Sequence, residues 1–124
     1  MSGYNFLPFA FFEKKMVPFK EANISIATHA LHYGTGAFGG MRGIVNPQNS
    51  KQILLFRLDK HAKRLSQSGR FLHFEISPDY IAKKIQEFIK TNKPTSSFYI
   101  RPLLYTSDLG ISPRLHDMEK DFLK

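Results

Sequence analysis

Residues 29–42, HALHYGTGAFGGMR, bring together two His, a Tyr, four Gly, a Thr, a Phe and an Arg. Glycines at 34, 36, 39 and 40 remove side chains and let the backbone turn sharply or approach a ligand closely. Between them stand Tyr33, Phe38 and Arg42: a phenol, an apolar ring and a guanidinium. Small residues that make room among large ones suit the wall of a small-molecule pocket. A glycine-rich turn between two strands, with Tyr33 and Phe38 as core residues, is the other reading of the same composition. Farther along, Tyr99 and Arg101 stand two apart in an extended run, so alternation puts them on one face. A phenol beside a guanidinium suits recognition of a carboxylate.

These groups need elements to position them. Residues 8–18 read as a hairpin: Phe9, Phe11 and Phe12 favour a strand, Glu13-Lys14-Lys15 a polar turn, and Met16-Val17 the return, with Pro18 at its end. Residues 38–45 read as a strand, Asn46-Pro47-Gln48-Asn49-Ser50 as a turn, and residues 52–58 as a nearly continuous apolar return strand, expected to be buried. Asp59 is the expected N-cap of a helix that starts at Lys60 and carries Ala62, Leu65, Gly69 and Leu72 on one stripe. Arg64 lies at the edge of that stripe.

A second helix opens with Ser77-Pro78-Asp79, buries Ile81, Ile85, Phe88 and Ile89, and stops at Thr91-Asn92-Lys93-Pro94. Residues 98–106 return to strand. Arg101-Pro102 within it calls for a place where one backbone donor is not needed. The sum is an α+β domain: a mostly antiparallel sheet with two helices packed on one face.

A chain of 124 residues is one domain or part of one, and is large enough to bury a real core. The formal charge of +8 raises nucleic-acid binding, but the lysines and arginines are scattered over different elements among acids. A solvated basic surface accounts for them, and no nucleic-acid partner is expected. No apolar run has the length of a membrane span, and the opening MSGYNFLPFAFF lacks the basic start of a signal peptide. The absence of Cys excludes disulfides and Cys-based zinc sites. The five His bring no pattern of acidic partners, so no metal is expected. A cytoplasmic location fits these features.

Thr28 followed by HALHYG, then Thr35-Gly36, Phe38, Gly40 and Arg42, closely resembles the N-terminal signature of branched-chain amino acid aminotransferases. These are fold-type IV enzymes that use pyridoxal 5'-phosphate (PLP). Gly39 stands where a Glu is common in that family. His61-Ala62-Lys63-Arg64-Leu65 resembles the family's His-x-x-Arg-Leu segment, which implies that Arg64 binds the cofactor phosphate, with His61 supporting the packing. Phe98-Tyr99-Ile100-Arg101-Pro102-Leu103 resembles its Tyr-x-Arg strand, which implies that Tyr99 and Arg101 help bind substrate carboxylates.

The resemblance further implies that Phe38 lines the pocket for an aliphatic side chain, that Gly40 and Arg42 join the substrate site, and that Tyr33 reaches the neighbouring subunit's pocket. The loop beginning Asp108-Leu109-Gly110 resembles a mobile interface loop near the site. D-amino acid aminotransferases of this fold carry an Arg-x-His pair where Tyr99 and Arg101 stand.

On this resemblance, residues 1–124 form the small N-terminal domain, and the Schiff-base lysine lies in a second, cofactor-anchoring domain beyond Lys124. No catalytic residue is assigned within the chain, which alone is expected to be inactive. The implied full-length enzyme is a homodimer or higher homo-oligomer that moves amino groups between L-Leu, L-Ile or L-Val and 2-oxoglutarate. Its partners are small-molecule amino acids and 2-oxo acids. An aminodeoxychorismate lyase-like enzyme of the same fold is the alternative inside the family. A non-catalytic piece that binds anions or partners is the alternative outside it.

Overall fold

The computed structural model describes residues 5–109 and 120–123. Two strands open the chain, β1 (Phe9–Phe12) and β2 (Lys15–Pro18). Glu13 and Lys14 between them both take positive φ, the backbone of a tight two-residue hairpin turn. A short helix α1 (His29–Tyr33) leads into β3 (Gly36–Phe38), β4 (Met41–Asn46) and β5 (Asn49–Leu55). Two longer helices follow, α2 (Leu58–Arg70) and α3 (Pro78–Asn92), then β6 (Phe98–Ile100), β7 (Leu103–Thr106) and β8 (Lys120–Leu123).

Every strand pair is antiparallel, as the sequence leads one to expect. The strands do not form a single sheet among the described residues. They form three ladders: β1-β2, β3-β7-β8 and β5-β4-β6. The expected strand over residues 38–45 is therefore two strands, broken at Gly39 and Gly40, with β3 pairing β7 while β4 pairs β5 and β6. The expected strand over residues 98–106 breaks in the same way at Arg101 and Pro102. Proline lacks the N–H that a continuous ladder needs, so the chain changes partners there.

The core lies between the helices and the strands. Leu65 and Ala62 of α2 and Ile81, Ile85, Phe88 and Ile89 of α3 pack with Phe11, Met41, Ile100 and Leu104. The α3 face is the one its periodicity predicts. Ser77 caps α3 through Oγ, which accepts from the Tyr80 N–H at 3.1 Å, and Pro78 fills the first turn. At the other end, the Asn92 side-chain amide donates to Phe9 O at 3.1 Å and accepts from Phe9 N at 2.9 Å. That pair ties the end of α3 to β1 and satisfies the N–H and the carbonyl of Phe9.

Two expectations fail locally. Asp59 does not cap α2; the helix starts at Leu58, Arg57 takes the cap position with left-handed φ, and Asp59 sits in the first turn. There its charge still favours the N-terminal end of the helix dipole. The apolar strand β5 is not buried either, since Leu54 and, just beyond the strand, Phe56 are exposed. As an outer strand of its ladder, β5 has one face turned away from the helices. Among the described residues, no helix is long and apolar enough to cross a membrane.

Candidate active site

The signature stretch begins as helix, contrary to what its mixed composition suggests. α1 runs from His29 to Tyr33 and ends at Gly34, whose φ of 65° is left-handed. The Gly34 N–H donates to Ala30 O at 2.9 Å, the standard closure for a helix ending on glycine. The turn brings Thr35 back over His29: His29 Nδ1 and Thr35 Oγ1 are 2.8 Å apart and both residues are buried. The imidazole of His29 also packs against the Tyr33 ring, with centroids 4.6 Å apart. His29 is thus a structural anchor, and Tyr33 projects from it with 44% of its surface exposed.

The broken strands build the second half of the site. Arg42 on β4 and Tyr99 on β6 are direct cross-strand partners, so both side chains stand on one face of the ladder. That face is turned from the core: Met41 and Gly43 are buried while Arg42 and Ile44 are exposed. Arg101 Nη2 donates to the Tyr99 hydroxyl at 3.4 Å, a long contact that puts the two side chains together as alternation predicts. The Arg101 guanidinium lies 4.5 Å from the centroid of the Phe38 ring. Phe38 reaches it from β3, which belongs to a different ladder.

Glycines make this arrangement possible. A Cβ on Gly40 would lie 2.8 Å from Tyr99 Cζ, and one on Gly43 would lie 2.7 Å from Phe98 Cε1. Each glycine seats one aromatic ring, Tyr99 on the exposed side and Phe98 toward the core. Gly40 therefore acts on the site through Tyr99.

The structure brings Phe38, Gly40, Arg42, Tyr99 and Arg101 into one cluster. No carboxylate pairs with Arg42 or Arg101 among the described residues. The Arg101 guanidinium between the Tyr99 phenol and the exposed Phe38 ring, with Arg42 on the same face as Tyr99, forms a surface suited to an anion that carries apolar parts. Ile44 and its cross-strand partner Leu54 extend the same face and are also exposed. Sequence reasoning missed them because an apolar residue in a strand reads as core; only the pairing register shows which face they occupy.

Arg64 and Tyr33 are held by other contacts. Arg64 is exposed on α2, the helix that packs against β3. Its Nη2 is 2.8 Å from Nδ1 of His61, one turn earlier. His61 thus does more than support packing: its ring nitrogen accepts from the guanidinium. Burial, and second the Arg64 charge, hold the His61 pKa below its ordinary value, which keeps Nδ1 available as an acceptor. The His-x-x-Arg spacing was the available signal, since residues three apart are neighbours on a helix. Of the loop beginning at Asp108, the part from Gly110 onward lies outside the described residues.

The amino-transferase class IV family profile matches residues 36–121. A probable branched-chain-amino-acid aminotransferase from Synechocystis sp. is 62% identical over 120 residues, covering 97% of this chain and 39% of the relative. A branched-chain aminotransferase from Thermoproteus uzoniensis, solved with norvaline, superposes with a TM-score of 0.84 at 26% identity, over 93% of this chain and 38% of that one. The Escherichia coli branched-chain amino acid aminotransferase gives a TM-score of 0.80 at 30% identity, over 94% of this chain and 38% of that one. The chain thus spans about two fifths of the length of these relatives. Since the profile covers most of the chain, including the whole Phe38–Tyr99–Arg101 cluster, the chain belongs to the class IV amino-transferase family.

Proposed function

We propose that this chain is the small N-terminal domain of a PLP-dependent enzyme that transfers amino groups between L-Leu, L-Ile or L-Val and 2-oxoglutarate. The observation that carries the proposal is the cluster of Phe38, Tyr99 and Arg101. An exposed ring beside a guanidinium and a phenol, with Arg42 on the same face as that phenol, can receive an aliphatic side chain or a second carboxylate. One site must accept both kinds of substrate if donor and acceptor bind in turn. The relatives' names support the branched-chain amino acids as amino donors.

In this reading Arg101 and Tyr99 hold carboxylate oxygens, Arg42 adds positive charge to the same face, and Phe38 supplies apolar wall. Tyr33, exposed at the end of α1, reaches the pocket of a neighbouring subunit in a cytoplasmic homodimer. The residues present fit PLP at one point. Arg64 is an exposed guanidinium with no carboxylate partner among the described residues, oriented by His61, as a phosphate ligand should be. When bound, PLP supplies the electron sink for the transfer. The lysine that anchors it, and the acid that pairs with its ring nitrogen, belong to the remainder of the enzyme.

The test is turnover by the full-length enzyme with PLP. Formation of glutamate from 2-oxoglutarate with each of L-Leu, L-Ile and L-Val is the expected result. Conversion of aminodeoxychorismate without turnover of those amino acids would replace the proposal with a lyase.

A further inference from the structure

Arg101 and Phe38 come from separate parts of the fold. Phe38 ends β3, whereas Arg101 sits in the break between β6 and β7. The Arg101 guanidinium carbon lies 4.5 Å from the Phe38 centroid and 5.7 Å from the Tyr99 centroid. No acid holds that guanidinium among the described residues. Its position therefore depends on the two rings and on the long contact to the Tyr99 hydroxyl. Phe38 is itself 59% exposed, so the stack also covers part of a ring that would otherwise face water.

We propose that Phe38 is a positioning residue for Arg101: its ring is the platform that sets the guanidinium for the distal carboxylate of an acidic substrate. Guanidinium is planar and weakly hydrated, which makes an aromatic face a good rest for it. The apolar wall and the carboxylate-binding cation are then two parts of one stack. A wall residue alone would matter only to aliphatic substrates. A platform matters to acidic ones as well, because an unsupported arginine must be ordered at the moment of binding.

This assignment rests on the aminotransferase reading above, and the test separates the two. In the full-length enzyme with PLP, Phe38→Leu keeps an apolar side chain but removes the ring. It should raise KM for 2-oxoglutarate by about two- to fivefold, the scale of an exposed cation–π contact, with kcat changed by less than about twofold. Phe38→Tyr, which restores a ring, should restore KM. In an Arg101→Ala background, Phe38→Leu should have no further effect on 2-oxoglutarate, since no guanidinium remains to be positioned. An equal effect of Phe38→Leu in both backgrounds would overturn the proposal.

A second measurement does not depend on catalysis. In NMR spectra of the same protein, the Arg101 δ protons should show an upfield ring-current shift, lost in Phe38→Leu and kept in Phe38→Tyr. Unshifted δ protons in the wild type would overturn the platform whatever the enzyme does. A clear shift in an enzyme that does not use 2-oxoglutarate would support the platform and reject the substrate reading.

Discussion

His29 Nδ1 and Thr35 Oγ1 meet at 2.8 Å in the interior, closing the turn that Gly34 makes between α1 and β3. The bond links the helix that ends in Tyr33 to the strand that ends in Phe38. Thr35 also accepts, through its carbonyl, the Thr106 N–H at 2.9 Å, so the same residue fastens β7. Thr35→Val keeps the shape but takes away the hydroxyl, and should cost about 1–3 kcal/mol because a buried partner loses its bond. Thr106 gives the contrast, since its buried Oγ1 has no partner among the described residues. Thr106→Val should be neutral or slightly stabilising. Chemical denaturation of the two variants checks the pair; equal losses would show that the hydroxyl bond is not what matters.

Gly40→Ala should disturb the site while leaving the fold standing. The new Cβ would collide with the outer end of the Tyr99 ring. Tyr99 is exposed, so the ring can swing away instead of forcing the backbone. Its contact with Arg101 goes with it. Thermal unfolding should change by no more than about 1 kcal/mol, the typical size for a point substitution, while KM for substrates with a distal carboxylate rises. An unchanged KM would mean that Tyr99 does not need its seat on Gly40.

His61 offers a pH test. Its pKa is lowered first by burial and second by the Arg64 charge. Unfolded, it titrates near the ordinary histidine value of about 6.5. The unfolded state then binds more protons in the window below that value. The stability His61 contributes is complete above about pH 6.5 and is lost as pH falls through the lower folded pKa. Arg64→Ala should move the His61 titration, followed by its Cε1 proton, part of the way back up, because burial remains. A bound phosphate near Arg64 should raise it too, since a neighbouring anion favours imidazolium.

Arg64→Ala should weaken retention of PLP by the full-length enzyme by about 1.5–3 kcal/mol, the scale of a charged hydrogen bond. The fold should survive, because Arg64 is exposed while its neighbour Leu65 carries the packing. Unchanged PLP affinity in a dialysis titration would remove Arg64 from the phosphate site.

The sequence disclosed the elements that rest on local chemistry. The cap at Ser77, the apolar face of α3 and the first hairpin follow from residues close together in the chain. The partner changes did not show. Phe38 and Met41 both suit a strand, and Gly39-Gly40 between them permit a turn, but nothing local says that Phe38 pairs with Leu103 while Met41 pairs with Ile100. The burial expected for β5 failed for a related reason, because an apolar run does not reveal that its strand lies at an edge. Within the site, Tyr99 and Arg101 were legible because alternation is local. The meeting of Arg101 with Phe38 was not, since it depends on how two separate ladders are placed.

The most direct test of the site is Arg101→Ala in the full-length enzyme, with each half-reaction followed separately by single-turnover spectra of the cofactor's two forms. A distal carboxylate needs the cation; a leucine side chain needs only the apolar wall. The half-reaction with glutamate or 2-oxoglutarate should lose roughly thirtyfold in specificity constant, equivalent to about 2 kcal/mol, while the leucine half changes by less than about threefold. Equal losses in both halves, or none in the glutamate half, would contradict the assignment of Arg101 to the acidic substrate and with it the reading of the Phe38–Tyr99–Arg101 cluster.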